Sequence, residues 1–243
     1  DNVSKALYFI PGTMCNESLW LPVWQLLRQQ CHQDYQLIAL MIPSTGSMDE
    51  IVNVLSEQII ADKAILVGFS LGGYIASAIA LKLGNKLQRL LIVSNFPKNL
   101  PPAEIKQRKR TIDWINQRGY SGIPNKRIND LLHPEIEQLN PSGYQKIKNT
   151  IVTMDRILGV EVLLHQLHVS MYRPNLLPLL GQLALPVTFL VGDTDSLVEL
   201  SVLRAELQGK NNIALKEIAK TGHMLPLESP QALASMLVCF LNN

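Results

Sequence analysis

The sequence predicts an α/β fold: a mostly parallel sheet of about six strands, helices on both faces, and one helical insertion. Three observations predict it. Apolar runs of strand length alternate with segments of helical spacing over residues 1–95, and again over residues 183–243. Between residues 96 and 182 that alternation stops, and only amphipathic helical stretches broken by prolines and glycines remain. Finally, Lys63–Lys82 reads as strand, sharp turn and helix around Gly68-Phe69-Ser70-Leu71-Gly72. The expected organisation is a core of residues 1–95 and 183–243 with a helical lid, residues 96–182, inserted between its halves.

The elements follow in order. Ala6–Ile10 is a buried strand by its continuous apolar run, turned by Pro11-Gly12-Thr13. Ser18–Gln29 reads as a helix with Leu19, Val23, Leu26 and Leu27 on one side, and Gln36–Ile42 as a second strand. Ser47–Ile60 is a helix whose Ser47 and Glu50 form a capping box. Ala64–Val67 is the third strand, followed by a helix ending near Gly84, and Leu87–Val93 is the fourth. Within the insertion, Ala103–Arg118, Ser142–Leu158 and Val160–Tyr172 have helical spacing. After Pro186 come strand Val187–Val191, helix Val198–Leu207, strand Ile213–Ile218 and a last helix with Ser229 as N-cap and Pro230 at its first position. Strands and helices alternating at this pitch require a parallel sheet covered on both faces.

Bulk properties exclude several classes. A chain of 243 residues, 47% hydrophobic and 17% charged, suits one globular domain with a large core. A net charge of +2 argues neither for nucleic acid nor for an acidic surface, so no nucleic-acid partner is expected. Ala64–Leu81 is uncharged over nearly a membrane-spanning length, but its three glycines, the flanking Lys63 and Lys82 and the lack of a second such segment speak against a membrane role. Cys15, Cys31 and Cys239 are odd in number and lack metal-like spacing, so reduced thiols in a cytoplasmic protein are expected. No signal peptide is visible. His165 and His168 stand three apart, yet no carboxylate or cysteine is suitably spaced beside them, so no metal is expected.

The chemistry centres on Ser70. Glycines two positions to either side leave room for a nucleophile on a tight, strained turn, and Gly72, Ala76 and Ala80 bare one helix face for close approach to the sheet. A serine hydroxyl needs a base, and the base needs a carboxylate to hold its tautomer. Of five histidines, His223 lies just after the last strand, in Thr221-Gly222-His223-Met224. The carboxylate comes from Gly192-Asp193-Thr194-Asp195, at the carboxyl end of Val187–Val191, where both Asp193 and Asp195 are candidates. Serine, acid and base then occur in the order Ser, Asp, His.

These pieces carry a resemblance. Pro11-Gly12-Thr13 with Trp20, Gly68-Phe69-Ser70-Leu71-Gly72-Gly73, Gly192-Asp193-Thr194-Asp195, and Gly222-His223 followed by Glu228-Ser229-Pro230 span nearly the whole chain. Together they resemble the α/β-hydrolase superfamily, single-domain esterase type, close in pattern to pimeloyl-[acyl-carrier protein] methyl ester esterases. The resemblance implies the α/β-hydrolase fold. It implies Ser70 as nucleophile, His223 as base, Asp195 rather than Asp193 as orienting acid, and an oxyanion hole from the backbone N–H groups of Thr13 and Leu71. It implies a cofactor-free serine hydrolase of carboxylic esters with small or medium acyl groups. A thioesterase or lactonase would use the same triad, and a non-catalytic ligand-binding protein would keep the pocket alone.

Two departures from the pattern bear on structure. Pro11 stands where the family usually has histidine, so the hydrogen bonding of that loop should differ. The chain begins at what would be the family's third strand, so the leading hairpin is expected to be absent. Counting this chain's own strands, the expected sheet order is 2-1-3-4-5-6. The insertion carries twelve Lys or Arg against seven Asp or Glu, an excess concentrated near Lys106-Gln107-Arg108-Lys109-Arg110. A solvated surface explains such a run, and so does a basic entrance for an anionic substrate or an acidic acyl carrier protein.

Overall fold

The computed structural model describes residues 4–243. Six strands, β1 (Lys5–Ile10), β2 (Tyr35–Ala39), β3 (Ala64–Phe69), β4 (Leu87–Val93), β5 (Val187–Gly192) and β6 (Ile213–Ile218), form one sheet in the order β2-β1-β3-β4-β5-β6. Every neighbouring pair is parallel. The expected fold and strand order are both present. Alternation along the strands divides the core in two. Leu7, Phe9, Ile65, Val67, Leu91 and Val93 face one hydrophobic cluster. Ala6, Tyr8, Ile10, Leu66, Leu90 and Ile92 face the other.

Helices cover both faces. On the first lie α1 (Leu21–Gln30) and the C-terminal helix, which pack against each other. On the second lie α2 (Met48–Gln58) and α3 (Leu71–Leu83). The chain between β4 and β5 is entirely helical or looped. It contains α4 (Pro102–Arg118), α5 (Asn125–Leu131), α6 (Ile136–Leu139), α7 (Pro141–Val169) and α8 (Leu177–Leu180). Tyr144, Ile147, Ile151 and Met154 of α7 and Ile128 and Leu131 of α5 join the first cluster, so the insertion is packed into the core and not merely perched on it. The fold closes with α9 (Leu200–Leu207), α10 (Leu225–Glu228) and α11 (Pro230–Asn242). No helix among the described residues is long and apolar enough to cross a membrane.

Element boundaries depart from expectation where a proline or a missing partner intervenes. The helix expected over Ser18–Gln29 is a short 3-10 turn, Glu17–Leu19, then α1, with Pro22 in its first turn. Proline has no N–H and would clash with the carbonyl four residues back, so an α-helix cannot run through it from Ser18. The second strand ends at Ala39 and not at Ile42. Beyond Phe9 and Ile10 its only neighbour turns away at Pro11, so Met41 and Ile42 have nothing to pair with. The two helices expected in Ser142–Tyr172 meet as α7, kinked where Gly159 leaves helical geometry at φ 81° and ψ 172°. Ser47 does cap α2, accepting from the Glu50 N–H at 3.2 Å. Ser229 precedes α11 but does not cap it. Its hydroxyl bonds instead to Thr221 Oγ1 at 2.6 Å.

At the centre, α3 begins directly out of β3 and lies almost on the backbone of its neighbours. A Cβ on Gly72 would sit 2.2 Å from the Ile10 carbonyl oxygen and 2.3 Å from that of Pro11. One on Gly68 would sit 2.2 Å from the Gly72 oxygen. No flexible side chain could yield, because both obstacles are main chain. Gly72→Ala is therefore expected to push α3 off the sheet and cost about 1–3 kcal/mol or more. Chemical denaturation checks it, and an unchanged midpoint would show that the close approach is not required.

Candidate active site

The strand order reverses between β1 and β3, because the chain adds β2 on one side and then returns to add β3, β4, β5 and β6 on the other. In open parallel sheets that switch point leaves a crevice at the carboxyl ends of the strands. Here the two ends are Pro11-Gly12-Thr13 and Ser70. Ser70 has φ 53° and ψ −120°, a region sparsely populated by any residue but glycine. The strain persists because the Ser70 N–H is held by the Val93 carbonyl at 2.9 Å, while its carbonyl takes the N–H groups of Gly73 and Tyr74 in the first turn of α3. The hydroxyl is thereby presented at the top of the sheet.

His223 and Asp195 stand beside it. His223 Nε2 lies 3.0 Å from Ser70 Oγ, and His223 Nδ1 lies 3.0 Å from both carboxylate oxygens of Asp195. Asp195 Oδ1 also accepts from the Leu197 N–H at 2.8 Å. Both His223 and Asp195 are buried. Asp193, the other candidate, is exposed and faces the Thr221 N–H at 3.4 Å, away from the imidazole. The backbone alone therefore separates two carboxylates that the sequence leaves equivalent. An Nδ1 facing a carboxylate keeps its proton, which leaves Nε2 free to accept the serine proton.

Strands lie about 4.8 Å apart, so β3 and β6 are separated by roughly 14 Å and the loop after β6 must reach back across the sheet. The insertion braces that reach. The His223 N–H donates to the Leu131 carbonyl at 2.8 Å, at the end of α5. Glu228 Oε1 accepts from the N–H of His133 at 2.8 Å and of Gly222 at 3.0 Å, so one carboxylate joins the insertion to the histidine loop. Burial pushes the Glu228 carboxyl up from its ordinary value, against those two hydrogen bonds, which pull it down. A Cβ on Gly222 would meet His133 N and the Leu132 carbonyl carbon at 2.7 Å, so only glycine admits this approach. Ser196, next to Asp195, donates to the Asp130 carbonyl at 2.8 Å.

The first loop is braced from the same direction. Pro11 occupies the place of the expected histidine, and the loop is tied elsewhere: Gln166 of α7, itself buried, accepts from the Met14 N–H at 2.9 Å. No acceptor among the described residues takes the N–H of Thr13 or of Leu71, and both residues line one cavity with Ser70 and His223. Two N–H groups left free beside a serine can receive the oxygen of an attacked carbonyl. Burial pushes the Cys15 thiol up to about 12, which makes it a poor rival nucleophile.

Ser70, Asp195, His223, Thr13 and Leu71, each singled out in the sequence, are thus brought together. His165 is not; its Nε2 lies 2.8 Å from the Gly46 carbonyl. Among the described residues no group of three or more His, Cys, Asp or Glu is placed to hold a metal ion. Gln166 and Arg173 were not singled out in the sequence, and Arg108 only as one member of the basic run on α4. A polar residue on the buried face of α7 was the available signal for Gln166, and nothing local marks Arg173.

Comparison with known proteins agrees with the fold. A family model described as alpha/beta hydrolase fold matches residues 28–230. The chain is 22% identical over 258 residues to the biotin biosynthesis bifunctional protein BioHC of Teredinibacter turnerae, covering 98% of this chain and 44% of that protein, so it spans less than half of that relative's length. It is 25% identical over 254 residues to 2-succinyl-6-hydroxy-2,4-cyclohexadiene-1-carboxylate synthase of Yersinia pseudotuberculosis, covering 97% of this chain and 87% of the other. Among solved structures, a thermophilic esterase from Thermogutta terrifontis superposes with a TM-score of 0.81 at 20% identity, over 99% of this chain and 90% of that one.

Proposed function

The chain belongs to the alpha/beta hydrolase fold family, and from that premise we propose that it is a serine hydrolase cleaving carboxylic esters of small or medium acyl groups. The observation that carries this reading is the unbroken hydrogen-bond chain from Asp195 through His223 to Ser70, ending at a cavity. His223 takes the Ser70 proton as Oγ attacks the ester carbonyl, and the oxyanion settles on the N–H groups of Thr13 and Leu71. His223 then gives its proton to the departing alcohol, leaving the acyl group on Ser70. Water next enters, loses a proton to His223 and releases the acid. Asp195 holds the imidazole in the required tautomer throughout. The reaction in this reading needs no cofactor. The three free cysteines support a reducing, cytoplasmic setting.

The test is labelling of the native protein with a fluorophosphonate probe, followed by a panel of esters of increasing acyl length that includes thioesters and lactones. Labelling with turnover of short or medium esters supports the reading. No labelling and no turnover of any member would leave a ligand-binding protein instead.

We further propose residues 96–182 as a lid, with an acidic acyl carrier protein as a partner that delivers the acyl ester to it. Its support is the division of the basic run on α4: Lys106, Lys109 and Arg110 are exposed, whereas Arg108 turns inward to line the cavity. An ester borne on an acidic carrier should then associate at least tenfold faster than the free ester at low salt. Raising the ionic strength, or changing Lys106 and Arg110 to Ala, should erase the advantage as screening shortens to about 10 Å at 0.1 M. A rate ratio indifferent to both would make that face a solvated surface only.

A further inference from the structure

The cavity beside Ser70 encloses about 100 Å³ and has two arginines in its wall. Arg108 comes from α4 and Arg173 from the segment following α7, so two separate elements of the insertion deliver guanidinium groups to one small space. Arg108 pairs loosely with Glu104, one turn away on its own helix at 3.8 Å, and donates to Ser170 Oγ at 2.5 Å and to the Leu167 carbonyl at 3.5 Å. Arg173 has no ion-pair partner among the described residues. The cavity's acidic residues are Glu104 and Glu199, set against Lys98, Arg108 and Arg173.

Arg173 is held in place from behind. Its Nε donates to the Lys98 carbonyl at 2.8 Å, and its guanidinium stacks 4.5 Å from the centre of the Tyr74 ring. The Tyr74 hydroxyl is anchored in turn on the Pro174 carbonyl at 2.7 Å. These contacts orient the planar fork and leave its two terminal nitrogens with no protein acceptor among the described residues. Burial, reinforced by the neighbouring Arg108 charge, pulls Arg173 down to about 10, and burial lowers Arg108 as well. Both remain charged near neutrality. Two cations held close in a poorly hydrated space repel each other and lack solvation, a cost that an incoming anion removes. In the same wall the Ser94 hydroxyl is buried and has no partner, a further donor facing the space.

A fork of parallel N–H donors matches the two oxygens of a carboxylate. We infer that Arg173 and Arg108 form a carboxylate-binding subsite beside Ser70, and that the ester cleaved there carries a free carboxylate, as in the half-ester of a short dicarboxylic acid. This rests on the serine-hydrolase reading above and not on the carrier-protein partner, since an acyl chain bonded to a carrier at its far end has no free carboxylate there, and it names the substrate class. The carboxylate anchors one end of the substrate on Arg173 and Arg108, and the ester carbonyl at the other end meets Ser70 between Thr13 and Leu71. The chemistry is unchanged: ester and water give a dicarboxylate, an alcohol and a proton.

The experiment compares kcat/KM for monomethyl glutarate and methyl pentanoate, which have acyl chains of equal length and differ in charge. The anionic ester should be preferred at least tenfold, as befits charge-assisted hydrogen bonds in an enclosed site. Arg173→Gln should bring the ratio close to one, and Arg173→Lys, which keeps the charge and loses the fork, should recover only part of it. A ratio of one or less in the unaltered protein overturns the subsite, as does a ratio that Arg173→Gln does not move. If the variants fail to fold, inhibition of methyl pentanoate turnover in the unaltered protein decides: glutarate should inhibit at least tenfold better than neutral glutaramide, and equal inhibition refutes the proposal. A separate measurement needs no catalysis. Glutarate should raise the melting temperature of Ser70→Ala protein, and no shift would count against the subsite. Probe labelling without anion preference would leave the hydrolase reading standing and sink the subsite. Glutarate binding without labelling would do the reverse.

Discussion

Ser70→Ala is expected to abolish ester turnover and fluorophosphonate labelling together, with a loss in kcat of about 10⁶-fold, the scale at which removal of a serine nucleophile leaves only binding and oxyanion stabilisation. The fold should survive, because Ser70 Oγ has no bond to any residue except His223. Ser70→Gly adds a second readout. At φ 53° and ψ −120° a side chain costs about 1–3 kcal/mol, a strain that glycine does not share. The Gly variant should therefore be as inactive as the Ala variant yet more stable than it, by on the order of 1 kcal/mol after allowing for glycine's greater unfolded-state freedom. Turnover and labelling are read by product formation and by the mass of the Ser70 peptide, stability by chemical denaturation. Full labelling of the Ala variant would move the nucleophile elsewhere.

Asp195→Asn is the second large effect. Both Asp195 oxygens lie 3.0 Å from His223 Nδ1, and Oδ1 is fixed by the Leu197 N–H. An amide in that position can turn its NH₂ toward Nδ1, which drives the imidazole proton to Nε2 and leaves nothing to accept from Ser70. The expected loss is up to about 10⁴-fold in kcat with little change in KM, since geometry is kept and only proton transfer is impaired. Asp193→Asn should cost far less, because Asp193 is exposed and directed at the Thr221 N–H. Parallel kinetics of the two variants check the assignment. Equal losses, or the reverse ranking, would exchange the roles of the two carboxylates.

Much of this was legible in the chain because it depends on local rules. The strand Leu87–Val93 has the same limits in sequence and structure, since the apolar run Leu90–Val93 and the turn residues Gly84-Asn85 before it and Ser94-Asn95 after it mark its ends. The break at Gly159 was equally readable, because glycine is the residue that can leave helical geometry at φ 81°. Ends set by a neighbour were not. Whether Met41 and Ile42 belong to a strand depends on where β1 turns away, and whether Ser229 caps α11 depends on Thr221 competing for its hydroxyl.

The sequence by itself determined the alternation of strands and helices and the candidate residues Ser70 and His223, with Asp193 and Asp195 as rival acids, while the strand order, the choice of Asp195 and the N–H groups of Thr13 and Leu71 came from the resemblance that those motifs carry. Each of these residues sits just beyond a strand, where spacing and glycines reveal the turn that carries it. Only the tertiary structure decided what holds them together and what surrounds them. The reach of His223 back to Ser70 depends on Leu131, His133 and Glu228, the first loop on Gln166, and the charge of the cavity on Arg108 and Arg173. These contacts join residues far apart in the chain, and no periodicity or motif records which segment of a helical insertion comes to rest against which loop. Burial is likewise a property of the packed molecule. The basic run on α4 looks uniform in sequence, and packing alone turns Arg108 inward while leaving Lys106, Lys109 and Arg110 in solvent.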